Sequence, residues 1–271
     1  MDNSRAVAFC NSPLSLIRRY TLKNVDIFED ERLDEVNDDL TLIQKKDGLT
    51  FGTDAFLLAS FINNAPHARS AELGAGTGIV SLLAAQRGKL GHVFAIEVQE
   101  DFCALTQRNV SLNGLDGKIT VMCSDVRELK AEHVGGELDV VFSNPPYMKT
   151  DSGKRNTSER KYIARHEVMG GIDDFCAAAY RLLKHGGKFY CVYRPDRLVG
   201  LLYAMRKNRL EPKVLQGVCA NTQREPSMVL VMAQKGGKEG LITPPTLFLN
   251  QDGTAELTER AARIYDTLSF D

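Results

Sequence analysis

Strand-like and helix-like segments alternate along the chain from about residue 69, and this alternation limits the possible folds more than any other feature. Short apolar runs predict buried strands, and the stretches between them predict helices. The predicted strands are residues 70–73, 92–98, 118–126, 138–142, 188–193, 213–220 and 228–233. The predicted helices are residues 79–87, a segment from residue 99 to about Gly114, and residues 172–184. This order predicts an α/β fold with a parallel, doubly wound sheet.

Length and composition are those of an ordinary globular protein. The chain has 271 residues, 43% hydrophobic and 25% charged, which excludes a disordered or collagen-like chain. Its 34 basic and 35 acidic residues give a net charge of −1, so a nucleic-acid contact would depend on local basic patches. No apolar run is long enough to span a membrane, and the N-terminus does not resemble a secretion signal. We therefore expect no membrane association and a cytoplasmic location.

The cysteines predict neither a disulfide framework nor a metal site. There are six, without C-x-x-C spacing and without clustered histidines beside them. They are Cys10, Cys103, Cys123, Cys176, Cys191 and Cys219. Cys123 and Cys191 lie in apolar runs that predict buried strands, so we expect reduced core thiols and no metal.

Two segments depart from the alternation of strands and helices. Residues 26–39 contain eight acidic residues and one basic residue, Arg32, which predicts a solvated surface segment. Residues 148–171 form a long polar connection, and long connections in compact domains are often functional.

A glycine-rich turn, Glu72-Leu73-Gly74-Ala75-Gly76-Thr77-Gly78, joins the first predicted strand to its helix. Glycines at alternate positions allow a tight turn and a close approach of the backbone to a ligand. A dinucleotide-binding fingerprint would place its third glycine at position 79, where this chain has Ile79. The spacing therefore favours the turn that binds S-adenosylmethionine over one that binds NAD. A tight turn without any ligand is the alternative.

Acidic residues follow the next two predicted strands. Glu97 ends the second strand, where a carboxylate can accept hydrogen bonds from both hydroxyls of a ribose. Asp125 ends the third strand, where it could accept one from the exocyclic amine of adenine. Each acid alone would be read as a surface carboxylate, but together with the turn they predict an adenosine site. The predicted cofactor contacts are Glu72, Gly74, Ala75, Gly76, Gly78, Glu97, Val98, Asp125, Val126 and Asn144.

The fourth predicted strand runs into Asn144-Pro145-Pro146-Tyr147, the predicted catalytic residues. The two prolines fix φ and lack backbone donors, which leaves carbonyl groups open to other partners. A planar substrate with an amino group could donate one hydrogen to the Asn144 side-chain oxygen and the other to the Pro145 carbonyl. Tyr147 could stack on its ring. The amine lone pair would then face the methyl group of the cofactor, so positioning and aimed dipoles would provide the catalysis.

These residues resemble those of the class I S-adenosylmethionine-dependent methyltransferases that act on planar amino groups, and most closely the bacterial tRNA(Val) (adenine-N6)-methyltransferases. The resemblance extends from about Glu31 to the C-terminus. Its motifs are Gln44, Phe51 to Ala59, Arg108-Asn109-Val110, Leu112-Asn113, Asn144 to Tyr147, Ala164-Arg165-His166-Glu167 and Pro244-Pro245. Two parts depart from the family pattern: residues 1–25 look like an extension, and residues 253–258 lack an expected tyrosine.

The resemblance implies a Rossmann-like fold whose last strand is antiparallel, and N6-methylation of an adenine in the anticodon loop of a tRNA. It also implies that Thr53 and Asp54 lie close to the methionine end of the cofactor. The corresponding segments are an N-terminal extension (1–25), an N-terminal segment packed on the core (26–68), the catalytic core (69–235) and a C-terminal tail packed on the same domain (236–271).

Basic residues follow the catalytic tetrapeptide and are predicted to contact RNA phosphates. They are Lys149, Lys154, Arg155, Arg160, Lys161 and Arg165, together with Arg194 after the fifth strand. An unpaired loop adenine can be turned out of its stack more cheaply than a duplex base, which favours an RNA loop over DNA.

Three other functions fit parts of the pattern. A protein glutamine N5-methyltransferase of release factors would use the same tetrapeptide, although such enzymes usually carry a separate helical N-terminal domain. An rRNA or DNA amino-group methyltransferase is a second alternative, and a non-catalytic cofactor- or RNA-binding protein is a third. The oligomeric state, monomer or homodimer, is left open.

Overall fold

The computed structural model describes residues 20–22, 25–47, 51–145 and 170–270. Within these residues the helices are α1 (Thr53–Phe61), α2 (Ile79–Gln86), α3 (Glu100–Leu112), α4 (Ile172–Leu182), α5 (Leu198–Lys207) and α6 (Glu259–Thr267). The strands before the glycine turn are β1 (Tyr20–Leu22), β2 (Val25–Ile27), β3 (Glu31–Asn37), β4 (Leu40–Lys45) and β5 (Ala65–Leu73). The later strands are β6 (Leu90–Glu97), β7 (Ile119–Cys123), β8 (Leu138–Ser143), β9 (Leu183–Tyr193), β10 (Leu210–Cys219), β11 (Pro226–Lys235) and β12 (Leu247–Phe248).

The centre of the fold is an eight-stranded sheet in the order β12-β10-β11-β9-β8-β5-β6-β7. The strands β7, β6, β5, β8 and β9 run parallel to one another. β11 is antiparallel to both β9 and β10. The predicted α/β fold with a mainly parallel sheet and an antiparallel last strand is therefore confirmed.

Helices cover both faces of this sheet, which explains the apolar run Val140-Val141-Phe142 in β8. Val140 and Phe142 belong to the core on the face covered by α1 and α2, whereas Val141 belongs to the core on the face covered by α4 and α5. Successive side chains of a strand point to opposite faces, so a strand buried on both sides needs apolar residues at every position. Among the described residues, no helix is long and apolar enough to cross a membrane.

The predicted boundary between α4 and β9 is wrong. The helix that was predicted over residues 172–184 ends at Leu182, and β9 begins directly at Leu183, so the segment containing Gly186 and Gly187 is strand. The pairing register of β8 and β9 shifts within that segment, and Gly186 adopts a φ of 80°, which a glycine tolerates without strain.

The predicted burial of Cys123 is also wrong, because this residue ends β7 at the edge of the sheet and is exposed. The other four cysteines of the described residues are buried, and all five are free.

The acidic segment is not a purely solvated stretch, because it contributes β2 and β3. Glu31 is 3% exposed and forms a bidentate ion pair with Arg108 of α3, with N–O distances of 2.6 and 2.7 Å. Lys45 lies 3.0 Å from the same carboxylate. Burial alone would raise the pKa of Glu31, but hydrogen bonds from Arg108, the Phe28 amide and Lys45 lower it to about 2. The prediction of a solvated segment is therefore wrong for Glu31.

Asn109 of α3 joins the β3–β4 hairpin to the glycine turn. Its Oδ1 accepts from the Ile43 amide at 2.6 Å, and its Nδ2 donates to the carbonyls of Ile43 at 3.1 Å and Thr77 at 3.0 Å. One turn later, Asn113 accepts from the Thr41 amide at 3.0 Å and donates to its carbonyl at 2.7 Å. Both amides thus pair with the backbone of β4 as an additional strand would.

Lys89 connects the C-terminal helix to α1 inside the protein. It is 5% exposed, and its Nζ donates to the carbonyls of Ala59 and Ser60, each at 2.9 Å, and of Leu268 at 2.6 Å. Hydrogen bonds to a charged group stabilise more than neutral ones, and a buried carbonyl left without a donor is costly. Lys89 therefore stabilises the position of α6 against α1.

We expect Lys89→Met to lower the free energy of unfolding by about 3 kcal/mol, because three buried carbonyls lose a charged donor. Urea denaturation monitored by circular dichroism measures this loss. Lys118→Met is the matched control, since Lys118 is exposed and donates to one carbonyl, that of Ala85, at 3.3 Å. Equal losses in both variants would contradict the role assigned to Lys89.

Candidate active site

The glycine turn between β5 and α2 has three residues in the left-handed region. Gly74, Gly76 and Gly78 have φ angles of 73°, 57° and 81°. A Cβ at position 78 would lie 2.7 Å from Thr106 Cγ2, whereas a Cβ at position 76 would meet no described atom within 4 Å. Thr106 also donates to the Gly76 carbonyl at 2.6 Å. The turn is therefore held tightly on its α3 side and has space beside Gly76, where a ligand could approach the backbone.

Glu72 lies beneath this turn, 2% exposed. Its Oε2 accepts from the amide of Ser81 at 3.0 Å and from the Ser81 hydroxyl at 2.5 Å, so it fixes the start of α2 against β5. Burial raises the pKa of Glu72 to about 8, and the nearby Glu97 carboxylate adds to the increase, whereas the Ser81 bonds oppose it. The structure thus gives Glu72 a supporting position, and its predicted contact with a cofactor stays a prediction.

The raised pKa of Glu72 predicts that stability falls as pH rises. The folded state binds this proton more tightly than the unfolded chain, so the stabilisation is full below about pH 4.5 and is lost as the pH approaches about 8. Between these two pH values we expect Glu72 to lower the free energy of unfolding by roughly 1 kcal/mol for each unit of pH increase. Glu72→Gln should remove that slope, which urea denaturation at several pH values measures. If the free energy of unfolding depends on pH in the same way in both proteins, the pKa of Glu72 is not raised in the folded state.

Glu97 ends β6 and is 1% exposed. One carboxylate oxygen accepts from the Gly76 amide at 2.9 Å, and the other accepts from the amides of Val98 at 2.9 Å and Gln99 at 3.0 Å. The carboxylate therefore links the end of β6 to the glycine turn, at the carboxyl edge where open α/β sheets bind ligands. Hydrogen bonds from ribose hydroxyls to the Glu97 carboxylate stay a prediction.

Asp125, beyond the end of β7, is engaged by Arg127. The Arg127 backbone amide lies 2.8 Å from Oδ1, and its Nε lies 3.0 and 2.9 Å from Oδ1 and Oδ2. These hydrogen bonds lower the pKa of Asp125. The neighbouring Val126 is buried, and its carbonyl accepts from Arg181 of α4 at 2.8 Å. Sequence reasoning missed both arginines, although the two-residue spacing of Asp125 and Arg127 could have indicated the first.

Asn144 follows β8 directly and lies against the start of α1. Ser143 donates to the Leu73 carbonyl at 2.7 Å, which holds the end of β8 beside the end of β5 and the glycine turn. The Asn144 amide Nδ2 donates to Asp54 Oδ2 at 2.8 Å. The structure therefore brings Thr53 and Asp54, at the start of α1, together with the first residue of the predicted catalytic tetrapeptide.

Pro145 is buried. The remaining predicted catalytic residues, Pro146 and Tyr147, lie outside the described residues. The same is true of the predicted RNA contacts Lys149, Lys154, Arg155, Arg160, Lys161 and Arg165.

A cavity of about 230 Å³ opens beside Asp54. It is lined by Thr53, Asp54, Tyr193, Arg194, Ser227 and Met228. Tyr193 ends β9 and is partly buried, which raises its pKa. Arg194 donates to Asp196 through Nε and Nη2, each at 2.9 Å, so its charge is partly neutralised. Because β9 and β11 lie on the opposite side of β8 from β5 and β6, this cavity and the glycine turn lie on either side of the end of β8.

Comparisons with known proteins identify relatives of the chain. The model of the methyltransferase small domain matches residues 45–199, more than half of the sequence. A tRNA1(Val) (adenine(37)-N6)-methyltransferase from Dyadobacter fermentans is 30% identical over 156 residues, which cover 58% of this chain and 63% of that protein. One of the same name from Phocaeicola vulgatus is 28% identical over 191 residues, covering 70% of this chain and 79% of that protein. The match thus covers less than two thirds of the first relative.

Solved structures share the fold at low sequence identity. A predicted O-methyltransferase from Agrobacterium tumefaciens has a TM-score of 0.65 and 21% identity, covering 80% of this chain and 97% of that one. A 16S rRNA N2 methyltransferase from T. thermophilus, in complex with AdoMet and guanosine, has a TM-score of 0.52 and 17% identity, covering 83% and 52% of the two chains. The fold, the matched family model and the relatives confirm the resemblance that the motifs indicated: the chain belongs to the methyltransferase small-domain family.

Proposed function

We propose that this protein transfers a methyl group from S-adenosylmethionine to the N6 amino group of an adenine in tRNA, in the anticodon loop of a valine tRNA. The observation that carries the proposal is the position of Asn144, at the carboxyl end of β8 between the glycine turn and the cavity beside Asp54. The names of the relatives support the choice of substrate.

The residues present fit such a cofactor. The turn has three left-handed glycines with space beside Gly76, and the carboxylates of Glu97 and Asp125 stand at two adjacent strand ends. When bound, S-adenosylmethionine supplies a methyl group on a positively charged sulfur that needs no metal ion for its activation. We assign its contacts to Gly74, Ala75, Gly76, Gly78, Glu97, Val98, Asp125, Val126 and Asn144, with Thr53 at the start of α1 and Glu72 beneath the turn.

The acceptor base enters the cavity on the other side of Asn144. The Asn144 Oδ1 and the Pro145 carbonyl accept the two hydrogens of its amino group, and Tyr147 stacks on its ring. These bonds turn the nitrogen lone pair out of the ring system and toward the crevice above β5. The nitrogen would become acidic as its bond to the methyl carbon forms and the carbon–sulfur bond breaks, with that electron pair left on sulfur, so one of the nitrogen's protons would leave to solvent without a strong base.

The RNA backbone contacts the basic residues that follow Tyr147, together with Arg194 at the edge of the cavity. Such contacts position a nucleic acid without reading its sequence, and they weaken as salt increases. An unpaired loop adenine reaches the cavity at a lower unstacking cost than a base in a duplex. The proposal implies a cytoplasmic protein, since its substrate is tRNA.

The experiment offers the purified protein labelled S-adenosylmethionine together with tRNA, release factor or DNA in parallel reactions. We expect label in tRNA only, recovered as N6-methyladenosine after nucleoside analysis. A valine tRNA transcript with guanosine in place of the adenine at position 37, the position that the relatives' names give, is the matched control and should stay unlabelled. Label on release factor or DNA alone would overturn the proposal.

A further inference from the structure

The carboxylate of Asp54 touches the amide of Asn144, although 90 residues separate them in the chain. Asp54 Oδ2 accepts from Asn144 Nδ2 at 2.8 Å, and Asp54 Oδ1 accepts from the Ala55 amide at 2.9 Å. Each carboxylate oxygen of Asp54 therefore faces a donor, and the side chain has a defined place at the first turn of α1.

This contact determines which end of the Asn144 amide is presented to a substrate. A side-chain amide has a donating nitrogen at one end and an accepting oxygen at the other, whereas a carboxylate only accepts. Rotating the amide by half a turn would bring Asn144 Oδ1 against the Asp54 carboxylate, two acceptors at hydrogen-bond distance. The same rotation would present a donor to an amino group that needs an acceptor. Repulsion between the Asp54 carboxylate and the rotated Asn144 oxygen disfavours this orientation. The amide therefore keeps its oxygen, and not its nitrogen, toward the amino group of the substrate.

We propose that Asp54 is a positioning residue that fixes the Asn144 amide with its oxygen directed to the amino group of the substrate. The inference rests on the proposed function, since it takes the substrate to be an amine. It differs from the role that the family resemblance implied for Asp54, a place at the methionine end of the cofactor. The bond to Asn144 makes Asp54 act on the acceptor side of the reaction.

The isosteric variant Asp54→Asn tests the polarity of this contact. In this variant the side-chain oxygen at position 54 must take the place of Asp54 Oδ1, because the Ala55 backbone amide needs an acceptor. The side-chain nitrogen at position 54 then points toward residue 144. Asn144 must then rotate to accept from it, and its own nitrogen is presented to the substrate. We expect kcat to fall by about 10²-fold, comparable to the loss of one polar group in a site of this kind, while the KM for S-adenosylmethionine changes little.

The reciprocal change supplies a test that a purely structural role would not pass. Asn144→Asp alone places two carboxylates in contact, so we expect a large loss of kcat. In the double variant Asp54→Asn/Asn144→Asp, the new amide donates to the new carboxylate, whose other oxygen accepts from the substrate. We expect kcat of the double variant to exceed that of Asn144→Asp by at least about tenfold.

All four proteins are compared by methyl transfer to the substrate that the wild-type protein methylates, by calorimetric titration with S-adenosylhomocysteine, and by thermal denaturation. Asp266→Asn, at an exposed position of α6, is the matched control and should keep wild-type kcat. A double variant no faster than Asn144→Asp, or wild-type kcat in Asp54→Asn, would overturn the inference. Weakened S-adenosylhomocysteine binding in Asp54→Asn without rescue would overturn it in favour of a cofactor contact. Transfer by the wild-type protein tests the proposed function separately, because the comparison of the variants uses whichever amine the protein methylates.

Discussion

Asn144→Ala should reduce methyl transfer to tRNA by about 10²–10³-fold while the affinity for S-adenosylmethionine stays within about twofold. The substitution removes the oxygen that accepts from the substrate amine, and it leaves Asp54 Oδ2 without the donor it has at 2.8 Å. Asn144 is one of many proposed contacts of the cofactor, whereas its oxygen is one of only two proposed acceptors for the substrate amine, so the loss should appear in kcat. Initial rates at saturating cofactor, together with calorimetric titration, separate the two quantities.

The matched control for this variant is Asn63→Ala. Asn63 is an exposed asparagine just beyond α1, and we expect its replacement to leave both quantities unchanged. An Asn144→Ala protein that is fully active would refute the mechanism. An inactive one that has also lost cofactor binding would instead show that Asn144 belongs to the cofactor site alone.

Glu97→Ala should weaken S-adenosylmethionine binding by about 100-fold. The carboxylate accepts from the amides of Gly76, Val98 and Gln99, so its loss releases both the glycine turn and the end of β6. It would also remove the acceptor that the ribose hydroxyls are proposed to use, and charge-assisted hydrogen bonds of this kind are roughly twice as strong as neutral ones. Calorimetric titration with S-adenosylmethionine measures the change in Kd.

Glu100→Ala is the control for this second variant, because Glu100 is an exposed carboxylate in the first turn of α3, close to Glu97 in the chain. We expect it to bind the cofactor with wild-type affinity. If Glu97→Ala lowers the melting temperature but leaves Kd unchanged, Glu97 supports the turn without contacting the ligand.

The buried strands and the positions of the acidic residues follow from patterns that are local in the chain. The segment from Leu138 to Phe142, apolar apart from Asp139, predicts a strand buried on both faces, because each face needs apolar side chains. Glu97 and Asp125 could be placed at the same edge of the sheet as the glycine turn, because the carboxyl ends of parallel strands meet at one edge. Both inferences depend on periodicity and topology, which a sequence displays directly.

The contacts that complete the site join residues that are far apart in the chain, and the periodicity of the sequence does not predict such pairs. Asp54 and Asn144 are 90 residues apart, and Glu31 and Arg108 are 77 residues apart. Such pairs form because packing brings two elements together, and a single sequence gives no signal for the choice of partner. The start of β9 was missed for a related reason: pairing with β8 outweighed the breaking tendency of Gly186 and Gly187.

Asn109 makes the hairpin and the glycine turn thermodynamically dependent on each other. Its Nδ2 is shared between the carbonyls of Ile43 and Thr77, so opening the β3–β4 hairpin removes a restraint from the turn. A ligand that binds only the ordered turn must, by reciprocity, also favour the docked hairpin. The amides of Thr41 and Ile43 should therefore exchange their hydrogens more slowly in the liganded protein, although they belong to the hairpin and not to the turn.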